Sequence, residues 1–233
     1  MDRLRICKIA DLFVEIPMAG GMSSRCEGYF ANTNEHPDIV IREERYDIKR
    51  WPGFDPVHLA YMDSGWQFYT KLIRLGGMML HASAVELNGE AYLFSGPSGI
   101  GKSTHTRLWT SLFPEAKIFN DDKPALRKID GVWYAYGTPW CGKDGINLNI
   151  KAPLKGICFL RHGDSNSMRR LSAIEALSAI FSQTQSRFSN GESLGKLTSI
   201  IEQLIRDIPI YELVNTAEEE AALLSHKIMS TEE

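Results

Sequence analysis

The chain has 233 residues, 43% of them hydrophobic and 24% charged, which is the balance of an ordinary folded protein and not of a disordered or collagen-like one. With 26 Lys and Arg against 29 Asp and Glu the formal net charge is -3, so no overall positive field exists to hold nucleic acid, and any phosphate binding must be local. Cys7, Cys26, Cys141 and Cys158 form no C-x-x-C pair, which points to buried free thiols rather than a disulfide framework or a thiolate zinc site. No run of 18 apolar residues occurs, and the opening MDRLRICKIADLF lacks the apolar centre of a secretory signal. A cytoplasmic chain with no membrane partner is expected.

No internal repeat or low-complexity tract is present, and the texture changes only once, near residue 75. The expectation is a single compact unit over 1–233, with a β-rich subregion and one helix over 1–75 and a core with C-terminal helices over 76–233. From Leu4 to Arg45 the β-like runs LRICKIA, DLFVEIP, GYFAN and DIVIREE alternate with Gly, Pro and Asn, predicting a small antiparallel sheet. Asp63 to Leu75 places Trp66, Tyr69, Leu72 and Ile73 at helical spacing before Gly76-Gly77, predicting a helix under that sheet.

Met78 to Leu87 and Ala91 to Phe94 read as strands joined through Asn88-Gly89-Glu90, and an Asn-Gly step is a strong hairpin signal. An antiparallel pair then delivers the chain into a glycine-rich loop, which predicts an α/β fold on a mixed sheet rather than an all-parallel one. A helix over Thr104 to Phe113 follows, then strands at Ala116 to Asn120, Lys123 to Lys128, Val132 to Tyr136 and Gly156 to Leu160. The last third reads as helices over Ser172 to Gln183 and Glu192 to Asp207, a strand IPIYELV, and a helix from Thr216 to Met229 opening on the capping-box pattern Thr-x-x-Glu.

Residues Gly96-Pro97-Ser98-Gly99-Ile100-Gly101-Lys102-Ser103 fit G-x-x-x-x-G-K-[ST] between a predicted strand and a predicted helix. Glycines let backbone N–H groups curl around phosphate oxygens, and the helix N-terminus adds partial positive charge to the same cavity. Gly96, Ser98, Gly99, Ile100, Gly101, Lys102, Ser103 and Thr104 are therefore the expected phosphate contacts. Lys102 would neutralise the terminal phosphates and the Ser103 hydroxyl would face Mg²⁺. The strand Ala116 to Asn120 runs into Asp121-Asp122, where a metal-holding acid is needed. One Asp would serve the metal and the other an incoming hydroxyl, with Asp122 named beside Ser103 as the metal contact and the order of the two roles left open; a plain Asp-Asp turn is the competing reading.

Other features are weaker alone. His81 lies in the strand MLHASA, where a lone His is more often a hydrogen-bonded core residue. Lys143 sits in a second glycine-rich loop, GTPWCGKDG, from which it could reach a phosphate or substrate. Arg161 ends a strand, as a phosphate clamp or as a solvated strand end.

The string LHASAVELNGEAYLFSGPSGIGKST followed by IFNDDKPAL resembles the catalytic domain of bacterial HPr kinase/phosphorylase, a phosphoenolpyruvate carboxykinase-like P-loop fold, over about residues 78 to 160. The resemblance implies that Gly96 to Ser103 hold nucleotide phosphates, that Asp121 and Asp122 supply a base and a metal contact, and that His81 lies near the transferred phosphate. Two features depart from the family: Lys123 replaces an Arg after the Asp pair, and a planar two-point contact is lost with it. The loop GTPWCGKDGINLN does not follow the family's glycine-rich signature.

The expectation is thus an ATP- and Mg²⁺-dependent kinase acting on a hydroxyl, with the acceptor, a seryl peptide, a small protein or free serine, named on resemblance alone. Catalysis would fall to Asp121, Asp122, His81 and Lys102, and self-association into a homo-oligomer is left open. The competing expectations are a nucleotide-gated binding module and, last, a carboxykinase acting on a small oxo-acid.

Overall fold

The structure, a computed structural model, describes residues 4–19, 21–43, 53, 55–184 and 191–231. Leu4–Ile9 (β1) and Leu12–Pro17 (β2) pair antiparallel through a tight turn at Ala10 and Asp11, both with positive φ. Ile39–Val40 (β3) adds to β2 in parallel, so this small sheet is mixed where the sequence predicts an antiparallel one. Parallel pairing needs a crossover. The intervening chain supplies it through the helical turn Met22–Arg25 (α1) and the 3₁₀ turn Glu27–Tyr29 (η1). The expected strand GYFAN is therefore a turn, with only Phe30 bridging to Cys7. The end of the expected β run, at 44 and 45, lies outside the described residues.

Helix α2 spans Pro56–Arg74, seven residues earlier than the periodicity predicts. Asp55 caps it by accepting from the Val57 N–H at 3.2 Å, with Pro56 in the first turn. The early turns escaped notice because Val57 and Met62 face outward, 53% and 51% exposed, and so break the buried stripe. Further along, Phe68 and Leu72 join Ile16, Met79, Tyr136 and Trp140 in one cluster, gluing the small sheet onto the large one.

The large sheet contains Gly77–Met79 (β4), Ala82–Leu87 (β5), Glu90–Ser95 (β6), Lys117–Asp122 (β7), Ala125–Ile129 (β8), Val132–Tyr136 (β9), Lys151–His162 (β10), Ser167–Arg170 (β11) and Ile210–Asn215 (β12). Its order is β4-β8-β9-β10-β6-β5-β7, with β12 beside β10 and β11 beside β12. The expected strand Met78 to Leu87 is two strands broken at Leu80-His81, because β4 pairs with β8 while β5 pairs with β6 and β7. The hairpin β5–β6 turns on Asn88 and Gly89, both at positive φ, as the Asn-Gly step predicts. Strand β10 joins the two halves: Lys151 to Pro153 run antiparallel to β9, and the chain beyond pairs in parallel with β6 and β12. The sheet is mixed, as the hairpin argument requires.

Side chains alternate across this sheet. Leu93 and Phe159 pack under Ala173–Gln183 (α4) and Gly191–Asp207 (α5), whereas Phe94 and Leu160 pack under Lys102–Leu112 (α3) and Glu219–Met229 (α6). Helix α4 starts on a complete capping box between Ser172 and Glu175. The box expected at Thr216 does not form; Thr216 is turned to Asn166, and α6 starts only at Glu219. Among the described residues no helix is long and apolar enough to cross a membrane.

Candidate functional site

Strands β6, β7, β10 and β12 share one direction and β5 opposes them, so one edge collects the loop after β6, the end of β7, Arg161 and the start of β5 at His81. Open α/β sheets present ligands at this carboxyl edge. Gly101 caps α3 in the left-handed region at φ 99, which glycine adopts without strain, and no side chain covers the helix start. The free N–H groups of the first turn therefore face the loop. Lys102, only 9% exposed, donates to the Gly96 and Pro97 carbonyls at 2.9 and 3.1 Å. Burial lowers its pKa, against the raising influence of Asp122 and Asp121.

The two acids at the end of β7 face opposite ways. Asp121 lies beside Ser83 on the α3 side and accepts from the Ser103 hydroxyl through both oxygens, at 3.0 and 2.9 Å. The sequence names Asp122 beside Ser103 as the metal contact and leaves the division of roles open; here the Ser103 hydroxyl meets Asp121. Asp122 instead meets His81 Nε2 at 3.2 Å and the Lys123 ammonium. Burial pushes its carboxyl up, but the hydrogen bonds from His81 and Lys123 and the Lys123 charge outweigh it and bring the pKa down to about 2. Its φ of 134° is strained for any residue but glycine, a cost on the order of 1–3 kcal/mol that the ladder to Ala82 and the bridge to Cys141 hold in place.

His81 is fixed from the far side of the sheet. Gln183, the last residue of α4, accepts the His81 backbone N–H at 2.9 Å, and its side-chain oxygen lies 3.2 Å from Nδ1. Nε2 is left to Asp122.

The second glycine-rich loop runs against the Asp pair. Gly142 donates its N–H to the Asp121 carbonyl, and a Cβ there would lie 2.9 Å from that oxygen, so the approach needs glycine. Fully buried Asn120 anchors the loop, donating to the Thr138 and Trp140 carbonyls at 2.9 and 3.3 Å and accepting from the Lys123 N–H at 2.8 Å. Tyr69 and Thr138 both donate to the Lys123 carbonyl, and the Tyr61 hydroxyl is 2.9 Å from both the N–H and the carbonyl of Cys141. Beyond Asp122 a cleft of about 660 Å³ opens between this loop, α1 and α2.

The predicted residues thus fall into two groups. Ser103 meets Asp121 and His81 meets Asp122 at the end of β7, while Lys102, next to Ser103 in the chain, is held on the Gly96 and Pro97 carbonyls. Ser98 and Gly99 are exposed on the loop, Thr104 is exposed on the first turn of α3, and Ile100 packs into the core on the α3 side. Lys143 lines the cleft on the Asp122 side. Arg161 is held by Glu212 at 3.3 Å with two-thirds of its side chain exposed, so here it is a paired strand end. Sequence reasoning missed Asn120, Gln183, Thr138 and Gly142. Asn120 alone carried a signal, a polar residue inside the apolar run AKIFND.

Among the described residues no group of three or more His, Cys, Asp or Glu side chains is placed to hold a metal. A cation here would have the Ser103 hydroxyl and the Asp121 carboxylate from the protein and further oxygens from a ligand, a donor set that fits Mg²⁺.

No family model matches the chain, and no curated protein matches it. Among solved structures, the Hpr(Ser) kinase/phosphatase from Coxiella burnetii is similar at 14% identity, over 66% of this chain and 99% of that chain, with a TM-score of 0.32. Likeness at that level carries no argument for the chemistry, which rests on the side chains themselves.

Proposed function

We propose that the protein is a phosphotransferase that moves the γ phosphate of ATP to a hydroxyl. The observation that carries this reading is the division of the Asp pair: Asp121 sits on the Ser103 hydroxyl under the glycine-rich loop, while Asp122 faces an open cleft from the other side of the same strand. Binding alone needs no second acid there.

In this reading the loop N–H groups and the first turn of α3 bind phosphate oxygens, and Lys102 exchanges the Gly96 and Pro97 carbonyls for the β and γ oxygens. Ser103 and Asp121 would hold Mg²⁺, which would supply charge neutralisation to the phosphates. Asp122 takes the proton from the attacking hydroxyl. The hydroxyl oxygen bonds to the γ phosphorus, the bond to the β–γ bridging oxygen breaks, and ADP leaves with its electron pair. A carboxylate held near pKa 2 is a weak proton acceptor. Lys123 must therefore leave Asp122, and the transferring phosphoryl group is the anion that draws it away; His81, steadied by Gln183, stays on Asp122 and positions it.

The test uses the full chain with Mg²⁺, γ-labelled ATP and hydroxyl acceptors. Wild type transfers label to an acceptor, and Asp122→Asn lowers the rate about 10²- to 10⁴-fold with nucleotide affinity retained. Wild-type turnover in Asp122→Asn rejects the assignment.

A further inference from the structure

The outward face of α2 and the second glycine-rich loop enclose the 660 Å³ cleft that ends on Asp122. Its volume lies in the range that buries ligands far larger than a single amino acid. Free serine, with seven non-hydrogen atoms, would leave most of that space to water. Val57 and Met62, each more than half exposed, give the cleft two apolar side chains on the first turns of α2, among the polar Ser24, Asp55 and His58.

The charges in the cleft do not balance. Asp122 is answered by Lys123 and His81, and Asp55 by the first turn of α2. Arg25 lies 4.6 Å above the Tyr61 ring with a guanidinium nitrogen 2.7 Å from the Cys141 sulfur, and Lys143 is exposed next to an Asp144 that Arg107 has taken. No carboxylate among the described residues pairs with Arg25 or Lys143. Two cations thus remain without a carboxylate in a cleft that also carries Val57, Met62 and Asp122.

Resting on the phosphotransferase reading above, we infer that this cleft is the acceptor site and that the acceptor is an acidic peptide segment. Its hydroxyl side chain reaches Asp122, an apolar neighbour covers Val57 and Met62, and an acidic neighbour lies between Arg25 and Lys143. The bond changes are those already given. The cleft adds only the choice of acceptor.

The test is a Ser-centred peptide array whose flanking positions vary among Asp, Leu and Lys, with free L-serine as comparator, full-length protein, Mg²⁺ and labelled ATP. Peptides with one apolar and one acidic flank are expected to be used at least about tenfold better than free L-serine. Lys143→Glu and Met62→Glu, both at exposed positions that leave the core untouched, are expected to raise the peptide KM by roughly tenfold with the KM for ATP unchanged. Equal use of free L-serine, or a peptide KM that neither variant moves, overturns the acceptor assignment and leaves the kinase standing. Phosphorylation of free L-serine with no peptide used does the same, whereas nucleotide binding without transfer to any acceptor overturns the phosphotransferase reading itself. If no nucleotide binds, the phosphotransferase reading itself fails and this assignment goes with it.

Discussion

Two glycine-rich loops approach the same Asp pair, and they are held by different means. The first, Gly96 to Gly101, is shaped by its own residues: glycines at positive φ, the uncapped start of α3, and Lys102 folded back onto carbonyls five and six residues away. The second, 137–145, is shaped by residues far from it in sequence. Asn120, Tyr69 through the Thr138 hydroxyl, Tyr61 and the Ser64 hydroxyl on Trp140 fix it through buried hydrogen bonds. A loop that must bind a common group can carry its geometry in a short string, whereas a loop that shapes a particular pocket borrows rigidity from the core around it.

The largest effect that separates the two is on stability. Asn120→Ala strands the buried Thr138 carbonyl and the Lys123 N–H and leaves the Trp140 carbonyl to the Thr138 hydroxyl alone, and should cost about 3 kcal/mol and lower Tm by roughly 6–12 °C in a thermal melt. Ser98→Ala, on the exposed crown of the first loop, should stay within about 0.5 kcal/mol. Equal losses in the two variants would erase the distinction.

Next comes the pH dependence at the point where the loops meet. As the proposed base, Asp122 would have to be ionised, so activity should be lost as pH falls through its pKa. Held down to about 2, it puts no acid limb into the wild-type profile above about pH 3. Lys123→Met removes a lowering partner and leaves burial, so the limb should move to higher pH in a kcat/KM profile. An unmoved limb would show that Lys123 does not hold Asp122. The same depressed pKa contributes stability that is present above the ordinary carboxylate value of 3.8 and lost as pH falls toward 2.

A smaller effect is expected at Gln183, which supports His81 from α4. Gln183→Leu should lower kcat by about tenfold with the KM for ATP unchanged, since only the support of the base is loosened. A matching rise in that KM would mean the residue serves the fold of the nucleotide loop instead. The smallest effect belongs to the one ion pair that links α3 to the second loop. Arg107 and Asp144 are both about half exposed, and Arg107→Ala should change stability by no more than about 0.5 kcal/mol in denaturant titration.

The same contrast explains what could be read from the residues. The hairpin, the glycine-rich loop, α3 and the Asp pair are encoded in short strings whose geometry is local, and their places in the structure follow them closely. The start of α2 did not show in the periodicity because Val57 and Met62 serve a cleft and not a core. Which acid meets Ser103 depended on where the strand ends and bends, and GYFAN became a turn because β3 returns in parallel. Gln183 lies 102 residues from its partner His81, and no spacing rule connects them.

The central claim is that the loop before α3 grips a triphosphate. Calorimetric titration of the full chain with ATP and Mg²⁺ tests it directly. Saturable binding at one site per chain, weakened at least about tenfold in Lys102→Met, is the predicted result. Binding that is absent, or that Lys102→Met leaves intact, would contradict it.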